Sequence, residues 1–105
     1  MEVYRRINLQ NKVLSNILNK KIIGWAVSGV YFEYKNRLQQ TIDYLVDSNP
    51  AKQNVYIDGK FVFPPKKLLE EKKEEVFIIV FSDAFYSEIS ETLKDFGYLE
   101  YENFC

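Results

Sequence analysis

Apolar and polar positions along the chain change period several times, and each change marks an element. Between residues 2 and 19, Val3, Ile7, Leu14 and Leu18, with Val13 and Ile17, recur at helical spacing. Arg5, Arg6, Gln10, Asn11 and Asn16 form the opposite face. This predicts an N-terminal amphipathic helix covering one side of a core. Ile22 to Ala26 is a short apolar run suited to a central parallel strand. Ser28-Gly29 makes a turn. Val30, Tyr34 and Leu38 then repeat every four residues, which predicts a helix over 30–40. Thr41 to Asp47 reads as a strand with Ile42, Tyr44 and Val46 on one face, ended by the turn residues SNPA.

The second half begins with VYIDGKFVF. Its Asp58-Gly59 pair separates two β-branched and aromatic runs and predicts a hairpin with a type I′ turn. Pro64-Pro65 closes the hairpin and opens a short helix through Glu71, and the run EEKKEE reads as a solvated helix end. Val76 to Phe81 is six apolar residues long, as expected of a strand buried on both faces. Ser82 or Asp83 caps a helix with Phe85, Ile89, Leu93 and Phe96 on one side. Gly97 stands at its left-handed C-terminus, and YLEYENF reads as a final edge strand. Strands alternating with helices predict a three-layer α/β domain, with a parallel sheet, right-handed crossovers, helices on both faces and one inserted hairpin.

Length and charge narrow the function classes. The chain has 105 residues, enough for one core, so a single domain is expected, with 1–19 as its helix and 20–105 as its α/β body. A net charge of −1, with basic and acidic residues interleaved, gives no footprint for nucleic acid or an anionic membrane. No apolar run approaches the roughly 18 residues of a membrane span. The N-terminal stretch has no continuous apolar region of the secretory type, so a cytoplasmic location is expected. The sole cysteine, Cys105, fits a reducing compartment. The absence of histidine excludes Ser-His and Cys-His catalysis and imidazole metal sites. No other proton-transfer set converges, so the chain reads as a non-enzyme when taken alone, with no metal site.

In a doubly wound sheet, ligands bind beyond the carboxyl ends of the strands, where the strand order reverses. Those ends are Ala26 to Gly29, Asp47 to Asn49 and Ser82-Asp83, so Ala26, Ser28, Gly29, Asp47, Asn49 and Ser82 are the candidate ligand contacts. Aligned to the dinucleotide fingerprint G-x-G-x-x-G, the chain has Ala26, Ser28 and Tyr31 at the three glycine positions. Alanine at the first is a mild change if its backbone is ordinary. Serine at the second brings a Cβ towards a phosphate but also a hydroxyl donor, and tyrosine at the third pushes the helix from the strand. Gly29 and the helix amides still offer an anion site. Asp47 reads either as a ribose acceptor or as the first residue of the DSNP turn. Ser82-Asp83 reads as a helix cap before a ligand contact. Trp25, Tyr31, Tyr34 and Tyr44 read as core before stacking platform.

Several blocks together resemble the small Rossmann-like domains of bacterial polysaccharide-biosynthesis proteins. They are the apolar strand ending in Trp25, the segment IDYLVDSNPAKQ, Gly59 with Val62 and Pro64 to Leu68, and FIIVFSDAFYSEISETLKDFGY. Similar domains occur in sugar-nucleotide dehydratases and epimerases, in sugar acyltransferases and in sugar C-methyltransferases. The resemblance covers Lys21 to the end. It implies that the Ala26 to Gly29 turn, Asp47 and Ser82 face a ligand, with NAD or a nucleotide sugar as the candidate cofactor. If the final strand lies at the sheet edge, it can pair with a second copy of the chain; that copy and a larger biosynthetic protein are the candidate partners. The departure is Ala26 and Ser28 in place of both glycines of the family's Gly-x-Gly. Two functions follow as expectations: a nucleotide- or sugar-nucleotide-binding domain serving surface-polysaccharide synthesis, or an interaction module that kept the fold and lost the ligand.

Overall fold

The computed structural model describes residues 20–38 and 41–105. The expected N-terminal helix over 2–19 and the last two positions of the expected 30–40 helix lie outside them.

The apolar runs become strands where they were expected. β1 (Lys21–Trp25) and β5 (Val76–Val80) pair in parallel along five residues, from Lys21 opposite Val76 to Trp25 opposite Val80. β2 (Tyr44–Val46) lies parallel on the other side of β1. β4 (Lys60–Phe63) is parallel to β2, and β3 (Val55–Ile57) is antiparallel to β4 at the edge. The sheet order is β3-β4-β2-β1-β5. The hairpin is therefore not an appendage, since β4 continues the parallel sheet.

Alternate residues of the central strands feed two separate apolar clusters. Ile22, Leu45, Phe77 and Ile79 pack in one, with Tyr31 and Tyr34 of helix α1 (Gly29–Tyr34). Ile23, Trp25, Val46, Ile78 and Val80 pack in the other, with Ile89 and Leu93 of helix α2 (Tyr86–Asp95). The fold is a mixed α/β domain with a five-stranded sheet; α1 packs with one of the two clusters and α2 with the other.

The Asp58-Gly59 turn is as expected. Both residues carry positive φ (56° and 73°), and Ile57 pairs with Lys60 across the two-residue loop. Tyr56 and Phe61 are cross-strand partners, edge to face with ring centres 5.1 Å apart. Asp58 does more than turn the chain. Its Oδ2 accepts from Tyr31 Oη (2.6 Å) and from Lys35 Nζ (2.5 Å), clasping the hairpin tip to α1 and the turn that follows it. The Lys35 hydrogen bond first, and the Tyr31 bond second, hold the Asp58 carboxyl at about 2. Burial first, and the Asp58 contact second, push the Tyr31 phenol well above its ordinary value.

Five expectations are corrected. The helix expected over 30–40 is α-helical only from Gly29 to Tyr34; a 3-10 turn over Lys35–Arg37 follows, and Leu38 is extended. Ile42 does not share a face with Tyr44 and Val46. It joins the α1-side cluster because the strand begins only at Tyr44, and its place on that face is continued by Leu45. The run EEKKEE is not simply solvated: Glu71 is largely buried beneath Lys21 (3.0 Å) and Tyr44 (2.5 Å). Burial raises its carboxyl, but these two donors outweigh that and leave it below the ordinary value. α2 starts at Tyr86 and leaves Phe85 exposed, because Ser82 caps a turn through Phe85 N (3.1 Å) rather than the helix itself. The last residues form a turn and not a continuous strand. Only Asn103 to Cys105 run beside β5, with Val80 N donating to Cys105 O (2.8 Å) and Cys105 N to Ile78 O (3.1 Å).

The end of α2 explains Gly97. Tyr98 N donates to Leu93 O (2.9 Å) and Gly97 N to Lys94 O (3.0 Å), the two bonds of a Schellman cap, with Gly97 at φ 96°. The cap delivers Tyr98 into the core, where its hydroxyl donates to Leu68 O (2.6 Å) and burial pushes its phenol up to about 12. A Cβ at position 97 would also meet Lys73 Cε at 2.7 Å, a contact that a flexible side chain can relieve. The left-handed backbone is the larger penalty, so Gly97→Ala should lower the unfolding free energy by about 1–2 kcal/mol in urea titration.

The Asp58 clasp gives a pH signature. Its folded value lies below the ordinary 3.8, so its contribution is present above pH 3.8 and disappears as pH falls through about 2. Asp58→Asn keeps the turn chemistry and removes the charge. Its urea midpoint should therefore fall less than that of the native chain across this window; equal falls would exclude the clasp.

Candidate functional site

The carboxyl ends of β1, β2 and β5 open into a crevice of about 730 Å³. Ala26, Ser28, Asp47, Asn49 and Ser82 all line it. Gly29 does not: it is the first residue of α1, and a Cβ built there meets nothing within 4 Å. Trp25, Val30, Phe81, Phe85 and Ile89 supply apolar walls, while Asp83 and Glu88 stand on the β5–α2 side.

Each candidate has a definite local role. Ala26 has φ 89°, so the first position of the turn requires the backbone that glycine adopts readily, and alanine occupies it under strain. The expectation of a mild change at this position is therefore corrected. Its N–H donates to Val46 O (2.9 Å), extending the β1–β2 ladder by one residue and holding the strained conformation.

Ser28 is extended (φ −134°), so its backbone has no need of glycine. Its hydroxyl accepts from Tyr31 N (3.3 Å) as the cap of α1 and donates to Phe81 O at the end of β5 (2.9 Å). The hydroxyl expected to reach a ligand instead joins two loops of the protein. α1 has only six residues, so the helix-end anion site expected at Gly29 is not supported.

Asp47 is buried at the end of β2, and both carboxylate oxygens are in use. Oδ2 accepts from Val27 N (2.7 Å) and Oδ1 from Asn49 N (2.8 Å). The turn-starting role is thus present, joined by a second bond across the crevice floor that the sequence reading did not foresee. Asn49 Oδ1 accepts from Ala51 N (3.0 Å), starting the 3-10 turn Pro50–Lys52. Lys52 at the end of that turn reaches back, and its Nζ donates to Val27 O (2.7 Å). The Val27 residue is thus held at its N–H by Asp47 and at its carbonyl by Lys52. Lys52 was missed from sequence, although it lies within the same IDYLVDSNPAKQ block that drew attention to Asp47.

Tyr31, at the third glycine position, is fully buried and packs edge-on against Phe81 with ring centres 5.2 Å apart. The room comes from β1. A Cβ at Gly24 would lie 2.7 Å from Leu45 Cδ2 and 3.1 Å from Phe81 Cε2, so the missing side chain lets both residues lie over the strand. Trp25, Tyr34 and Tyr44 are likewise buried, as core readings required. Among the described residues no group of three or more His, Cys, Asp or Glu side chains could hold a metal ion. Nor, among them, is any helix long and apolar enough to cross a membrane.

Fold and site together define a mixed α/β domain with a crevice at the carboxyl ends of three consecutive strands of the sheet, β2, β1 and β5. Residues 18–104 match the family model described as C2185-like, N-terminal, and the chain belongs to that family. Comparison with curated proteins gives no significant match.

The strain at Ala26 makes a direct test. Glycine loses more chain entropy on folding, but relief of the positive-φ penalty exceeds that loss, so Ala26→Gly should stabilise the fold by about 1 kcal/mol. Ser28→Gly should do the opposite by a similar amount, because a cap and a bond to Phe81 are lost. Urea titration of the two variants separates these signs; a destabilised Ala26→Gly would refute the strain.

Proposed function

We propose that this chain is a Rossmann-like domain that binds a nucleotide or nucleotide sugar, in service of surface-polysaccharide synthesis. The observation that carries the reading is the position of the crevice. β1 has β2 on one side and β5 on the other; the chain leaves β1 through α1 for β2, while β5, entered from β4, leads into α2 in the other cluster, and the crevice opens between these two departures. The parallel pairing of β4, β2, β1 and β5, and the burial of α1 and α2 against opposite faces, support the three-layer arrangement on which it depends. Its volume, about 730 Å³, suits a small-molecule ligand. Apolar walls with a few polar groups at the floor and mouth are the usual make-up of such sites. The link to polysaccharide synthesis, and with it a cytoplasmic setting, is supported by the resemblance of the sequence blocks.

A second reading is favoured by one observation: the polar side chains of the floor, Ser28, Asp47 and Lys52, all bond to the protein's own backbone. An interaction module that retained the fold without its ligand would look the same at these positions. It would not need an open crevice, which is why binding is preferred.

Calorimetric titration with UMP, UDP-sugars and NAD distinguishes the two. Saturable binding of at least one uridine nucleotide, with NAD weaker because the glycine-rich turn is missing, is the expected result. No response to any of them at millimolar concentration would overturn ligand binding and leave the interaction module.

A further inference from the structure

Two amides of this turn are already engaged within the protein. Val27 N–H goes to Asp47 (2.7 Å) and Tyr31 N–H to Ser28 Oγ (3.3 Å). A side-chain cation would supply the charge that these amides do not, and among the described residues Lys52 is the only cation lining the crevice. Its position is well fixed. Lys52 N donates to Asn49 O (3.0 Å), Gln53 Nε2 donates to Asp47 O (2.7 Å), and Nζ reaches Val27 O (2.7 Å).

The partner of Nζ is a carbonyl and not a carboxylate. Lys21, Lys35, Lys60, Lys67 and Lys94 each form an ion pair with a carboxylate. Among the described residues Lys52 has no carboxylate at ion-pair distance, only the Val27 carbonyl. A carbonyl orients an ammonium without neutralising it, and two of its three donors remain for an incoming acceptor. Half-buried beside apolar walls, that charge is less screened than one in open water.

We propose that Lys52 is the anion anchor of the crevice and takes a phosphate of the ligand on the β2 side of the opening. Asp83 and Glu88, on the β5–α2 side, repel that phosphate and so fix the ligand's direction, turning its uncharged part towards α2. The identity of the ligand as a nucleotide rests on the function proposed above; the anion site itself does not.

The test compares uridine, UMP and inorganic pyrophosphate on the native chain and on the Lys52→Ala and Lys52→Arg variants, by calorimetry, with circular dichroism to verify folding. UMP should bind more tightly than uridine, and more weakly as salt rises. Lys52→Ala should weaken UMP by about tenfold or more and leave uridine unchanged, while Lys52→Arg keeps most of the affinity. Equal binding of UMP to the native chain and to Lys52→Ala overturns the proposal. So does equal binding of uridine and UMP to the native chain, although the nucleotide reading then stands. Pyrophosphate bound through Lys52 without any nucleotide binding upholds the anchor and removes the nucleotide reading. Silence from all three probes removes both. Should Lys52→Ala fail to fold, the uridine–UMP difference on the native chain and its retention in Lys52→Arg decide.

Discussion

Parallel strands end side by side, but their loops depart separately, so something has to hold those departures in one geometry. Here it is the Asp47 carboxylate. By accepting from Val27 N and Asn49 N it couples the loop after β1 to the loop after β2 with two charge-assisted bonds. The other contacts follow from it. With Val27 fixed, its carbonyl is presented to Lys52, and the next residue, Ser28, is placed to donate to Phe81 O beyond β5. Three strand ends are thereby linked in the order β2, β1, β5, which is their order in the sheet. The crevice has a floor because one acid bridges two loops and one hydroxyl bridges the second to a third.

The opposite side of the turn shows how a tyrosine can stand where close helix–strand packing ordinarily asks for glycine. Gly24 gives up its side chain inside β1, and Phe81 and Leu45 occupy the space above it. Tyr31 then meets the Phe81 ring edge-on, and its hydroxyl extends past the core to Asp58. The close approach has moved from the helix to the strand. The large side chain gains a polar anchor at the hairpin tip, where Lys35 neutralises the same carboxylate. Burial of Tyr31 and the position of the hairpin are consequently one constraint, because the phenol cannot be buried so deeply without an acceptor at its far end.

How far the sequence could be read depended on the range of the interaction concerned. The runs Ile22–Trp25 and Val76–Val80, the Asp58-Gly59 turn and the Gly97 cap were legible because each rests on period, composition or a φ requirement within a few residues. The strand ends were legible for the same reason, and five of the six candidate site residues meet in one crevice. What those side chains bond to was not legible. Asp47 reaches back 20 residues, Lys52 25 and Ser28 forward 53, and no local pattern encodes such pairings. Phe85 and Ile42 were misassigned for a different reason. Each lies just outside its element, where the helical or alternating period no longer applies.

The positive φ of Ala26 is the point where these long-range bonds meet the local chain. Ala26 N is bound to Val46 O, Val27 N to Asp47, and the carbonyl of Trp25 accepts from Phe81 N (2.8 Å). The peptides before and after Ala26 are therefore both committed, one to the sheet and one to the crevice floor. Between them the chain must turn from strand to helix by Ser28, and only the dihedrals of residue 26 are left to absorb that change. Glycine would take up the conformation at low cost; alanine holds it because its neighbours over-determine it. The turn thus holds a positive-φ residue at its first position while directing its groups inward, to Asp47, Phe81 and Lys52. That combination separates two properties often treated as one. The backbone shape of such a strand-to-helix turn is set by the sheet and its ties, whereas any capacity to bind an anion depends on which donors those ties leave unused.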